Sequence, residues 1–128
     1  MSMPYTLHHH GAVDGVTGSC HQLLLADGRS ILVDCGLFQG AETSADGGAA
    51  GQPEIGFPVA DIQALVITHV HSDHVGRIPH LLAAGFRGPI ICSEASAVLL
   101  PLVLEDALKV GFTRDETLIR RFLGEIRK

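Results

Sequence analysis

The sequence predicts an α/β fold in which helices pack on one face of a mixed sheet. Two short, uncharged apolar runs at residues 65–67 and 89–92 have the length and composition of buried strands. Each of these runs is followed by a segment with helical signals. A third feature is the pair Asp27 and Gly28, which separates two further apolar runs as the turn of an antiparallel hairpin does. Strand–helix units combined with a hairpin indicate a mixed sheet.

Composition limits the chain to one folded domain or less. It has 128 residues, of which 46% are hydrophobic and 18% charged, and this composition argues against a disordered chain. The net charge of −5 gives nucleic-acid binding no independent support. Three cysteines without a Cys-x-x-Cys spacing favour reduced thiols in a cytoplasmic protein. We find neither a signal peptide nor an apolar run long enough to cross a membrane.

The N-terminal segment predicts a first strand at residues 5–10, followed by a loop with three glycines at residues 11–18. The run His8, His9 and His10 is interpreted as strand and strand-end residues, because a bare cluster lacks an established ligand spacing. Asp14 lies in the glycine-rich loop. It is either part of a site wall or a solvated turn carboxylate, and the sequence leaves both open.

The hairpin is predicted from strands at residues 19–26 and 30–34. A two-residue turn would pair Ala26 with Arg29 and therefore Cys20 with Cys35. Cross-strand partners lie within about 5.5 Å, so we expect the two thiols to be close but not bonded. Asp34 ends an apolar strand, where a carboxylate must be hydrogen-bonded or paired to be tolerated.

The remaining elements follow in order. Residues 36–58 form a long glycine-rich loop, and residues 59–63 a short helical turn. A helix at residues 79–84 ends at Gly85, and Ser93 caps a helix at residues 94–110. Pro101 should kink or split this helix, whose apolar side chains require a cover. A last amphipathic helix begins at the capping box of residues 113–116; its basic residues are interpreted as a solvated face.

The stretch at residues 64–76 carries the chemistry. The buried strand is followed by five side chains that can bind a metal or a proton: Thr68, His69, His71, Asp73 and His74. In an extended chain His69 and His71 project to the same side, and the turn that follows adds Asp73 and His74. Imidazole and carboxylate ligands suit zinc, with manganese or iron as alternatives. A metal of this kind lowers the pKa of bound water toward about 7 and so provides a nucleophile.

The motif His69-x-His71-x-Asp73-His74 resembles the signature of the metallo-β-lactamase superfamily. The segments 11–20, 31–40, 74–79 and 102–106 resemble its beta-CASP branch of RNA-processing nucleases. The resemblance implies an αββα sandwich with one or two zinc ions between its sheets. It implies that His69 and His71 bind one ion, that Asp73 and His74 bind the other and take part in catalysis, and that Asp34 supports the metal loop without binding the metal.

The resemblance also implies that later ligands are missing. No histidine follows His80, which we interpret as an ordinary helical residue, and Asp106 and Asp115 lie in helical contexts that do not match. We therefore expect residues 1–128 to be the N-terminal half of the sandwich: strands and metal loop at 1–93, helices at 94–128. An exposed sheet face would favour self-association, and zinc binding would be partial or weak.

Three functions follow as hypotheses. The first is a ribonuclease that hydrolyses RNA phosphodiesters with zinc-bound hydroxide, incomplete and inactive as this isolated chain. The second is a hydrolase of thioesters, lactones or β-lactams, since the same metal chemistry acts on a carbonyl carbon. The third is a non-catalytic metal-binding or assembly fragment. The flanking segments favour the first.

Overall fold

The computed structural model describes residues 4–13, 15–39 and 55–111, together with positions 117, 120 and 121. The predictions for Asp14, for most of the glycine-rich loop and for most of the C-terminal helix lie outside these residues. The three described positions of that helix are helical. The described part of the chain contains no helix long and apolar enough to cross a membrane.

A five-stranded mixed sheet confirms the predicted fold class. Its strands are β1 (Tyr5–His9), β2 (His21–Leu25), β3 (Ser30–Val33), β4 (Ile62–Val66) and β5 (Ile90–Ile91), and they lie side by side in that order. The first three strands pair antiparallel, and β3, β4 and β5 pair parallel. The parallel strands therefore direct their C-terminal ends to the same edge of the sheet, where ligand sites of α/β proteins commonly lie.

The β2–β3 hairpin has a different register from the predicted one. His21 pairs with Val33 and Leu24 with Ser30. The amide of Leu25 also donates to the carbonyl of Arg29 at 2.8 Å, so the loop consists of three residues, 26–28, instead of two. Gly28 adopts φ +91° and donates its amide proton to the carbonyl of Leu25 at 3.0 Å. A three-residue loop with a glycine at positive φ is the next most common hairpin connection. The pairing of Ala26 with Arg29 was wrong for this reason.

Three helices complete the described fold: α1 (Ser72–Val75), α2 (Ile78–Ala83) and α3 (Glu94–Gly111). As predicted, α2 ends before Gly85, and the hydroxyl of Ser93 accepts the amide proton of Ser96 at 3.1 Å. Helix α3 continues through Pro101 and is not split. At residues 59–63 the chain forms a turn, but β4 already begins at Ile62.

The helices pack on one face of the sheet. Leu32 and Leu65, neighbours on β3 and β4, are fully buried against apolar side chains of the helices, which are Val75, Ile78, Leu81, Leu100 and Leu104. On the other side of α3, Val98 and Leu102 are exposed, so the expected cover of this helix stays a prediction. The helices thus bury one face of the sheet. The C-terminal ends of the parallel strands β3, β4 and β5 lie at one edge, and the predicted metal ligands follow at that edge.

Candidate metal centre

The predicted ligands lie at the sheet edge where β3 and β4 end. Asp34 directly follows β3, and residues 68–71 continue from β4 before α1 begins at Ser72. Since the two strands are parallel neighbours, Asp34 and the histidine motif come together although 34 residues separate Asp34 from Thr68. His69 and His71 are exposed, while Asp73 and His74 are half-buried. The site therefore opens to solvent on the side of the first two histidines.

Backbone hydrogen bonds hold the loop that carries these side chains. The amides of Ser19, Cys35 and Leu37 donate to three successive carbonyls of the loop, at 3.0 Å to Asp73, 2.8 Å to His74 and 2.9 Å to Ser72. The segments before β2 and after β3 thus clamp α1 from two sides. The backbone of Asp73 and His74 is thus held by hydrogen bonds within the protein.

Gly36 makes the clamp possible. A Cβ atom at this position would lie 1.7 Å from the carbonyl oxygen of Asp73 and 2.7 Å from the amide nitrogen of His74. Only glycine permits so close an approach of two backbones. The sequence predicted Gly36 only as the first residue of a loop. The feature that could have indicated its role is a glycine directly after Asp34 and Cys35.

Asp34 is the centre of the hydrogen-bond network. Its carboxylate is 2% exposed and accepts two bonds from Thr68, one from the amide and one from the hydroxyl, both at 2.8 Å. It also lies 2.7 Å from Nδ1 of His74, and the hydroxyl of Ser19 donates to it at 3.4 Å. These bonds offset the cost of burying a carboxylate and hold Asp34 at φ +62°, a conformation that aspartate tolerates better than most residues.

The network determines which nitrogen of His74 carries a proton. An ionised carboxylate can only accept, so Nδ1 of His74 must donate to Asp34. The lone pair of His74 is therefore on Nε2, which lies 3.5 Å from a carboxylate oxygen of Asp73. A carboxylate that accepts from one ring nitrogen while the other faces a ligand is the usual arrangement around metal-binding histidines.

The same reasoning applies to His69 through Thr68. The hydroxyl proton of Thr68 is directed to Asp34, so this oxygen can only accept from Nδ1 of His69, 3.1 Å away. That bond leaves the lone pair of His69 on Nε2. Thr68 was predicted from the sequence as one of the groups that can bind a metal or a proton. In the structure its hydroxyl lies between the carboxylate of Asp34 and the imidazole of His69.

The three imidazoles lie in contact. The ring centroid of His69 is 3.9 Å from that of His74 and 4.8 Å from that of His71. Within residues 4–13, 15–39 and 55–111, no three histidine, cysteine or carboxylate side chains are arranged to hold an ion as they stand. The donor chemistry nevertheless fits zinc: three imidazoles and a carboxylate lie together, and two of the imidazoles use Nδ1 in a hydrogen bond, which leaves Nε2 to bind a metal. Ligation by these residues stays a prediction.

Two further groups of residues were singled out in the sequence. Cys20 and Cys35 are buried, free and in contact, as expected. The neighbouring thiol of Cys35, together with burial, raises the pKa of Cys20. His9 and His10 lie outside the centre and contact residues of β2, in agreement with their interpretation as strand and strand-end residues.

Comparison with known proteins identifies one family. The model of the metallo-β-lactamase superfamily matches residues 15–126. Ribonuclease TTHA0252 of Thermus thermophilus is 49% identical over 100 residues, covering 78% of this chain and 22% of that protein. Transcription termination factor FttA of Cenarchaeum symbiosum is 37% identical over 104 residues, with 79% and 15% covered.

A plant protein is similar as well. Cleavage and polyadenylation specificity factor subunit 3-II of Arabidopsis thaliana is 32% identical over 109 residues, covering 81% of this chain and 17% of that protein. The chain thus spans between 15% and 22% of the length of these three relatives.

Proposed function

The chain belongs to the metallo-β-lactamase superfamily, and from that premise we propose that it carries part of the metal centre of an RNA-processing ribonuclease. The observation that carries this proposal is the hydrogen-bond network of Asp34. This buried carboxylate turns the Nε2 atom of His74 away from itself, and through Thr68 it does the same for His69. Both atoms are thereby prepared to bind an ion.

The roles of the residues follow from their places. His69 and His71 would hold one zinc ion, and Asp73 and His74 the other. Asp34 would orient His74 and, through Thr68, His69. When bound, zinc supplies a Lewis acid and a nucleophile at neutral pH, which suits hydrolysis of a phosphodiester. Manganese or iron would be held by the same donor set.

The relatives support RNA as the substrate class. One is named a ribonuclease, and another a cleavage and polyadenylation specificity factor subunit. Segments 11–20 and 31–40, on which the beta-CASP resemblance rests, include the clamp around the metal loop. We propose that residues 1–128 form part of one metallo-β-lactamase domain, with residues 36–58 as a loop beside the centre, in a cytoplasmic protein.

Zinc content is the first test. Protein purified without chelator and without a polyhistidine tag should contain zinc, measured by elemental analysis, and should lose it in His71→Ala. His80→Gln is the matched control, because His80 lies on α2 outside the cluster. Well-folded wild-type protein without zinc, or equal zinc in the two variants, would contradict the proposed centre.

Substrate class is the second test. Labelled RNA, a thioester and a lactone are incubated with zinc-loaded wild-type protein and with His69→Ala. Cleavage of RNA that is lost in the variant would support the ribonuclease. Turnover of the thioester or lactone without RNA cleavage would assign the carbonyl hydrolase instead. Bound zinc without any turnover would agree with the first hypothesis, in which the isolated chain is inactive, and with the third, a non-catalytic metal-binding or assembly fragment; it would exclude the carbonyl hydrolase for this chain.

A further inference from the structure

A second pair of histidines lies apart from the centre, on the first two strands. His9 and His21 are directly opposite each other in the antiparallel β1–β2 pair. Their Nδ1 atoms are 2.8 Å apart, and the ring centroids are 4.9 Å apart with the planes inclined by 76°. His9 is exposed and His21 half-buried. Solvent therefore reaches the pair.

The distance restricts the protonation of the pair. Two nitrogens 2.8 Å apart form a hydrogen bond in which one donates and the other accepts. At least one ring is therefore neutral, with its lone pair directed at its neighbour. Partial burial and the nearby charge of His9 lower the pKa of His21, which favours its neutral form.

We propose that His9 and His21 chelate one divalent transition-metal ion, Cu²⁺ or Ni²⁺ in preference to Zn²⁺, through their Nδ1 atoms. Two nitrogens bound at right angles with bonds of 2.0–2.1 Å lie about 2.9 Å apart, which is close to the distance already present. The proton between the rings moves to Nε2 of the donating ring, so two neutral imidazoles bind the ion without losing a proton. Water fills the remaining coordination positions.

The neighbouring histidines, His8 on β1 and His10 directly after it, do not share this arrangement. His8 lies one position along the strand and so projects from the opposite face of the sheet. His10 is buried, stacks on Phe57 at 3.8 Å and bonds through Nε2 to the amide oxygen of Gln22 at 2.8 Å. The site therefore consists of two residues set by the β1–β2 register, and His8 provides a matched control.

Calorimetric titration of the tag-free full chain with CuCl₂ or NiCl₂ tests the proposal. The double variant His69→Ala/His71→Ala serves as the background, because it removes two ligands of the candidate centre. In this background, His9→Gln or His21→Gln should weaken binding at least about tenfold, since the second imidazole no longer binds intramolecularly. His8→Gln should leave the affinity unchanged.

Electron paramagnetic resonance of bound Cu²⁺ provides an independent readout. The background protein should show two coordinating imidazole nitrogens, and His9→Gln or His21→Gln should show one. Equal affinities in His9→Gln, His21→Gln and His8→Gln would overturn the proposal. Loss of all binding in the background would also overturn it, because the pair would then be hydrogen-bonded only. Neither result depends on whether the chain is a ribonuclease.

Discussion

At the scale of single residues, the identities of the candidate ligands were predictable and their protonation was not. His69, His71, Asp73 and His74 stand out because their spacing after a buried strand is that of a metal motif. That Thr68 relays the effect of Asp34 to His69 depends on which acceptor its hydroxyl faces. The Thr68 hydroxyl faces Asp34 because β3 and β4 lie side by side, and a local sequence pattern does not show which strands are neighbours.

Thr68→Val tests whether the Thr68 hydroxyl, bonded to both Asp34 and His69, orients His69 for metal binding. Valine keeps the shape but cannot donate to Asp34 or accept from His69, so Nδ1 of His69 loses its fixed partner. We expect zinc affinity to fall by about 10- to 100-fold, the usual effect of removing a group that orients a ligand. Thr68→Ser should restore most of the affinity because it keeps the hydroxyl. Competition with a zinc chelator measures all three proteins, and equal affinity in Thr68→Val would contradict the relay.

The second residue-scale prediction concerns pH. Burial, followed by the charge of His9, lowers the pKa of His21 in the folded chain below its value in the unfolded chain. The unfolded chain therefore binds more protons as the pH falls through about 6.5, and folding loses stability there. With chelator present, the urea midpoint of the wild type should fall more steeply between pH 7.5 and 5 than that of His21→Gln.

His8→Gln is the control for this experiment. It removes an exposed imidazole from the same strand, so its midpoint should follow the pH dependence of the wild type. Identical slopes for wild type and His21→Gln would show that His21 does not favour its neutral form in the folded protein.

At the scale of elements, strands and helices were predictable where composition and caps determine them. Ser93 and Gly85 mark helix ends as expected, β5 lies within its predicted strand, and β4 overlaps the predicted apolar run but begins three residues earlier. The hairpin register failed because Asp27-Gly28 suits both a two-residue loop and a three-residue loop with Gly28 at positive φ. The choice between them depends on how β3 also pairs with β4.

Gly36→Ala tests the contact between elements. The added methyl group would overlap the carbonyl of Asp73, and relief requires the metal loop to move. We expect a loss of stability of about 3 kcal/mol or more in urea unfolding, together with weaker zinc binding. In Gly28→Ala no atom lies within 4 Å, so only the positive φ costs energy, about 1–2 kcal/mol, and zinc binding should not change. Equal effects of the two substitutions on zinc binding would contradict the clamp.

At the scale of the whole molecule, the helix-covered face of the sheet was predictable because helices follow apolar strands. What packs against the opposite face of the sheet is harder to predict from the sequence. Leu7, Leu23 and Ile31 form a row across β1, β2 and β3, and Leu7 is 56% exposed. Ile91 on the far strand is 53% exposed. Contiguous apolar surface of this kind commonly marks a contact with another surface, but local sequence does not identify the partner.

Self-association through this face is the remaining prediction. Sedimentation at increasing concentration should show a weight-average mass above that of one chain, because pairing two such faces removes apolar side chains from water. Leu7→Lys places a charge in the row and should shift the equilibrium toward monomer. Thr6→Lys adds the same charge to the same edge strand but on the opposite face, so it should have a smaller effect. Equal effects of Leu7→Lys and Thr6→Lys on the association would indicate that β1 pairs edge to edge with β1 of a second chain instead. A mass equal to that of one chain at every concentration would show that the described apolar face does not by itself drive association.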